Sequence, residues 1–248
     1  MEGMRRWGEM FEGQFTIKID TSHTYQLEGV ANLENNNVYD TWRFKDISLE
    51  SGKIYGLVGE YGIGPMYLSY FLGGRIEFDN LRVFCNDVEL SKEMLRQISW
   101  NLEPHREKYK NALVKKSIQK ALDKTGRKED FEVVADKFIL TEPRYDRKLC
   151  QLSGERWRAS AALGYANGKK IFFAPHKSSN FYYQMCQSCL LKALRELTAD
   201  GAIVLLPVGS DDVMKHIADE CIYLNPEYDI AALKERYAEL CGKEEWIV

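Results

Sequence analysis

No run in this sequence approaches the roughly 18–20 consecutive apolar residues of a membrane-spanning helix; Ala202 to Leu206 is a typical buried segment. The first residues, Met1-Glu2-Gly3-Met4-Arg5-Arg6-Trp7, lack the apolar core of a signal peptide, so a protein that stays inside the cell is expected. A basic excess is missing too. Lys and Arg number 34 against 37 Asp and Glu, a net charge of −3, which argues against a nucleic-acid partner. Lys115-Lys116 is short, interleaved with acids, and reads as a solvated helix face. The four histidines are isolated, and the six cysteines (85, 150, 186, 189, 221 and 241) make no zinc ligand set. Cys186-Gln187-Ser188-Cys189 has C-x-x-C spacing, but the apolar helical pattern continues through Leu190, Leu191 and Leu194. Buried thiols on a core helix are therefore expected, and no metal site.

The 248 residues, 45% hydrophobic and 29% charged, suffice for a large core in one α/β domain, with or without a subdomain. Phe15–Ile19 and Trp42–Leu49 alternate like half-buried strands, while Gln26–Asn37 reads as a loop. Ile54–Val58, Lys170–Phe173, Ala202–Leu206 and Cys221–Leu224 are short apolar runs of buried strands; Arg75–Phe78 and Arg82–Cys85 are further short strands. Helical patterns lie at Lys92–Gln97, Arg106–Arg127, Phe131–Phe138, Leu152–Ala166, Phe181–Leu197, Val213–Asp219 and Ile230–Leu240. The alternation predicts a mainly parallel sheet with helices on both faces.

The chain is organised around Ile54-Tyr55-Gly56-Leu57-Val58-Gly59-Glu60-Tyr61-Gly62-Ile63-Gly64-Pro65-Met66, a strand that leads through glycines into the helix Tyr67–Leu72. That is the layout of a phosphate loop, in which backbone N–H groups and a helix N-terminus cradle an anion. Gly59 and Gly64 fall on the glycines of G-x-x-x-x-G-K-[ST], with Gly62 a further match. Pro65 stands where the lysine belongs and Met66 where the hydroxyl residue belongs. Proline removes a cation and a backbone donor, and methionine removes a Mg²⁺ ligand. Two readings of the loop stay open: residual anion binding at Gly62–Gly64, or a turn that is glycine-rich because strand and helix approach closely. A second landmark, Leu152-Ser153-Gly154-Glu155, opens a helix, with Ser153 placed as N-cap and Glu155 in the first turn.

The order of these landmarks, with a helical insertion between them and the Lys170–Phe173 strand just after the second, resembles the ATP-binding cassette (ABC) ATPases. The resemblance runs from Phe15 to about Leu240. It implies an α/β P-loop NTPase (RecA-like) fold: one ABC nucleotide-binding domain over 1–248, with an antiparallel β lobe and a helical subdomain at about 104–152. Carried over by position, the family's glutamine between nucleotide and subdomain falls on Glu103. The Asp-Glu before the retained Pro175 falls on Phe173 and Ala174, the loop aspartate on Asn180, and the switch histidine on Gly209. Tyr25 matches the adenine-stacking aromatic. The signature Leu-Ser-Gly-Gly-Gln becomes Leu152-Ser153-Gly154-Glu155-Arg156.

Phosphoryl transfer rests on positioning and on cations that neutralise developing charge. The resemblance therefore implies a pseudo-ATPase, with no catalytic residue, no metal site and no tightly bound cofactor of its own. ATP and Mg²⁺ are expected only at a composite site with a partner, where Ser153, Gly154 and Glu155 act in trans. Glu155 is repulsive there unless it turns away or Arg156 compensates. The implied partners are an active ABC ATPase subunit and a membrane permease; a self-dimer is possible, and the place is cytoplasmic, peripheral to the membrane. Two alternatives stand beside this: a soluble scaffold or regulator that keeps the fold for protein binding, and an enzyme with a repurposed pocket.

Overall fold

The computed structural model describes residues 10–11, 13–20, 47–59, 63–76, 81–103 and 108–224. Tyr25, the Gln26–Asn37 stretch, the beginning of Trp42–Leu49, Gly62, the end of Arg75–Phe78 and the helix expected at Ile230–Leu240 lie outside the described residues. Arg75 and Ile76 themselves are not in a strand.

Two sheets form. The antiparallel one holds β1 (Thr16–Asp20), β2 (Ile47–Glu50), β4 (Arg82–Cys85) and β5 (Val88–Glu89) in the order β2-β1-β4-β5. The parallel one holds β3 (Ile54–Val58), β6 (Ser99–Asn101), β7 (Ile171–Phe173), β8 (Ile203–Val208) and β9 (Glu220–Tyr223) in the order β6-β7-β8-β3-β9. Its central strands read as continuous apolar runs because both faces are covered. Ile203 and Leu205 point into one core with Tyr55, Leu57 and Phe173. Val204, Leu206 and Val208 point into the other with Ile54, Val58 and Phe172.

The first core also takes in the antiparallel sheet and helix α1 (Ile63–Leu72). This helix stops at Gly74, whose φ of +66° suits glycine, with Gly74 N–H bonded to Phe71 O and Arg75 N–H to Tyr70 O. Helix α2 (Lys92–Ile98) leads directly into β6. The second core takes in α3 (Val114–Thr125), α4 (Phe131–Lys137), α5 (Arg156–Ala166), α6 (Ser179–Gln187) and α7 (Leu190–Ala199). The buried side chains of the inserted helices, among them Ile118, Phe131 and Phe138, are continuous with those on the sheet.

Three expected helices differ. The Arg106–Arg127 pattern is a 3₁₀ turn, Lys108–Asn111, followed by α3 only from Val114. Leu113 is extended because it bridges to Lys148, and the N–H groups of Val114 and Lys115 go to Arg147 O and Tyr145 O. The Phe181–Leu197 pattern breaks at Cys189, whose φ of +63° is left-handed. Cys189 is therefore exposed and Cys186 half-buried, which corrects the expectation of two core thiols. Val213–Asp219 holds only the 3₁₀ turn Met214–His216. There Asp219 is drawn to the sheet: its carboxylate accepts from Ile54 N–H at 2.8 Å, and its own N–H donates to Ile54 O.

Candidate functional site

The C-terminal ends of β3, β7 and β8 meet at the glycine loop. Gly59 N–H donates to Val208 O at 3.1 Å. A Cβ on Gly59 would stand 2.5 Å from Leu224 O and 2.7 Å from Pro65 Cγ, so only glycine fits. The Pro65 ring thus lies against the Gly59 backbone, buried together with Gly64. Met66 packs, half-buried, on the core beneath the antiparallel sheet. Neither an acid nor a base stands in the first turn of α1.

Phe173 and Ala174, onto which the resemblance carries a pair of acids, are part of the core. Phe173 is fully buried, with Tyr70 edge-on at 5.4 Å and the Arg75 guanidinium 5.0 Å over its ring. Gly73 faces the ring so closely that a Cβ would come within 2.7 Å of it. Ala174 is also fully buried, and its carbonyl accepts from the Ser69 hydroxyl at 2.8 Å. These contacts bind β7 to α1, and neither position carries a side-chain oxygen.

Beside them the Glu103 carboxylate pairs with the Lys177 ammonium at 2.9 Å. Glu103 N–H is anchored to Asn101 Oδ1 at 2.9 Å, and Lys177 N–H to Pro207 O at 3.1 Å. The Tyr182 phenol donates to Pro207 O at 3.2 Å; burial first, and the Glu103 charge second, push its pKa well up. A Cβ on Gly209 would sit 3.7 Å from the His176 ring and 4.0 Å from Gly59 O. Burial, and then the Lys177 charge, hold the His176 imidazole below its usual 6.5. His176 and Lys177 were missed in the sequence; their only signal was their place directly after the retained Pro175.

The Ser153 loop belongs to different neighbours. Helix α5 begins at Arg156, and the residue before it, Glu155, makes no side-chain cap; Ser153 is therefore not the N-cap the sequence suggested. Instead Ser153 O accepts from Arg156 N–H at 3.1 Å, while the Ser153 hydroxyl is exposed and unbonded. Gly154 has Ser188 Oγ 3.7 Å from where a Cβ would be. Glu155 turns inward and is 2% exposed. Its carboxylate accepts from Thr141 N–H at 2.9 Å, the Thr141 hydroxyl at 2.8 Å and Arg144 Nη1 at 2.8 Å, with Arg158 at 3.9 Å. Among the described residues the Arg156 side chain has no partner, and its Nε is shut off from solvent. The loop therefore presents a hydroxyl on the outside, keeps its carboxylate inside, and leaves the Arg156 guanidinium half-buried.

No family model matches the sequence, and no curated protein is similar to it in sequence. Solved structures share its fold. One is cbiO1 from Clostridium perfringens, part of the ABC transporter complex cbiONQ: 15% identity over 88% of this chain and 96% of that one, TM-score 0.59. Another is the dimeric bacterial ABC transporter cassette MJ0796, at 17% identity, 84% and 94% coverage and TM-score 0.60. A third is MJ1267 in its ADP conformation, an ATP-binding cassette of an ABC transporter, at 13% identity, 87% and 90% coverage and TM-score 0.58. The chain has the fold of an ABC transporter ATP-binding cassette, as the two landmarks implied. Among the described residues no helix is long and apolar enough to cross a membrane.

Proposed function

We propose that this chain is a pseudo-ATPase cassette, docked on a membrane permease at its cytoplasmic side and paired with an active ABC ATPase subunit whose ATP site it completes. The observation that carries this reading is the inward turn of Glu155, held by Thr141 and Arg144 beside the unbonded Ser153 hydroxyl and the unpartnered Arg156. A phosphate-facing loop must not carry an outward carboxylate, and here the one carboxylate in the loop is neutralised from within. The chain's own loop has the opposite character. Pro65 covers Gly59, and Phe173 and Ala174 are core residues, so the groups present do not fit Mg-ATP.

ATP and Mg²⁺ are held by the partner's loop in this reading, and the hydrolytic chemistry is the partner's. This chain supplies the Ser153 hydroxyl, the Arg156 charge and the N-terminus of α5 across the interface. The solved cassettes of like fold include one described as dimeric and one described as part of a transporter complex, which supports pairing and docking here. The test is the ATPase rate of an assembled complex with an intact cassette subunit. Ser153→Arg is expected to lower turnover sharply with assembly intact, and Pro65→Lys to leave it unchanged. Unchanged turnover with Ser153→Arg would instead favour a scaffold that uses the fold for protein binding alone.

A further inference from the structure

The edge strand β6 delivers the chain to the inserted helices, and its exit is fixed at several points. Trp100 Nε1 donates to Ser160 Oγ at 3.0 Å, Ser160 Oγ donates to Asn101 O at 3.2 Å, and Leu102 N–H donates to Phe173 O at 2.8 Å. The last described residue before the insertion is Glu103, with its side chain 6% exposed. Lys177 comes from the other side of the crevice. Its backbone bridges in parallel to Val208, whose carbonyl also takes the Gly59 N–H, so the ammonium is anchored to the strand ends around the glycine loop.

A carboxylate buried at this edge requires a cation, and the chain carries one of its own. We propose that Lys177 is a built-in counter-ion which holds Glu103, and with it the exit of β6, in one position whether or not nucleotide is present. The middle of the insertion is secured in the same manner. Arg127 donates to both carboxylate oxygens of Asp200 at 3.0 and 2.7 Å, with its guanidinium 3.9 Å over the Tyr165 ring. Arg127 lies in the α3–α4 connection and Asp200 follows α7, so the insertion is tied at its middle as well as at its entry. Its apolar side chains share one core with the sheet layer, which removes a slip plane between them.

The inference concerns the isolated chain and does not rest on the composite-site reading. Amide hydrogen exchange on the full chain tests it, followed at residues 101–103 and along α3 with and without saturating magnesium-ATP. Wild type is expected to exchange identically in both conditions. Lys177→Ala and Glu103→Gln are each expected to speed exchange in these segments by about tenfold or more, whereas Lys177→Arg retains protection because a guanidinium can hold the same carboxylate. The double variant Glu103→Gln/Lys177→Ala should exchange no faster than the faster single one. If Lys177→Ala does not fold, the contrast between Lys177→Arg and Glu103→Gln carries the test. Equal exchange in those two, unchanged exchange in Lys177→Ala, or added protection of α3 in wild type on magnesium-ATP would each overturn the inference. None of these results would bear on the ATPase loss expected from Ser153→Arg in the complex.

Discussion

Arg144 reaches from the surface to a buried carboxylate: its Nη1 lies 2.8 Å from Glu155 Oε2, with side chains 44% and 2% exposed respectively. Glu155 stands where the ABC signature has its second glycine, and a glycine there needs no such partner. The Thr141 and Arg144 donors therefore compensate a carboxylate that this loop buries.

Arg144→Ala is expected to cost about 1.5–3 kcal/mol, the usual worth of one hydrogen bond to a charged group, because the two Thr141 bonds remain. In the background of Glu155→Gly the same substitution should cost less than about 0.5 kcal/mol. Urea denaturation of the four proteins measures the difference. Equal costs in both backgrounds would mean that Arg144 acts through something other than Glu155.

The glycines of the site predict opposite outcomes. Gly59→Ala forces a Cβ to 2.5 Å from Leu224 O and 2.7 Å from Pro65 Cγ, and should destabilise by about 1–3 kcal/mol. Gly209→Ala places its Cβ at an ordinary 3.7 Å from the His176 ring and should stay within about 0.5 kcal/mol. Thermal unfolding of the pair distinguishes a glycine required by close approach from one that is not.

Stability should fall with acid partly through His176. Its folded pKa lies below 6.5, so above that pH the ring is neutral folded and unfolded, and has no effect. As pH falls below 6.5 the unfolded chain takes up the proton first, and stability is lost until the folded pKa is passed. Denaturation of His176→Gln below pH 6.5 should show a shallower acid dependence than wild type; an identical slope would contradict a half-buried imidazole whose folded pKa is lowered.

The parallel sheet was legible because its strands are short apolar runs between helical patterns, and Ile54–Val58 matches β3 residue for residue. The helix interruptions were not legible. Leu113 and Cys189 carry no turn residue, and their backbones are set by a bridge to Lys148 and a left-handed turn that only tertiary structure reveals. At the site, Pro65, Phe173, Ala174 and Gly209 were singled out only by carrying the family's motifs over by position. The Glu103–Lys177 and Arg144–Glu155 pairs could not be found that way, since their members are 74 and 11 residues apart. The inward turn of Glu155 was only one of the outcomes that the sequence left open.

Restoring single groups should not restore activity. Pro65→Lys still meets Phe173 and Ala174 in place of metal ligands, and Ala174→Glu still lacks a cation at the loop. Groups that act as one unit do not contribute separately. Steady-state ATPase assays of either variant on the isolated chain should stay at background, and clear turnover would show that the site has been assigned to the wrong residues.

Titration calorimetry of the isolated wild-type chain with magnesium-ATP tests most directly whether its own nucleotide site is filled by its own side chains. No heat beyond dilution is expected, because Pro65 covers Gly59, Phe173 and Ala174 are core, and one oxygen of the Glu103 carboxylate is paired with Lys177. A low-micromolar dissociation constant, abolished by bulky substitutions at Gly62 and Gly64, would contradict it.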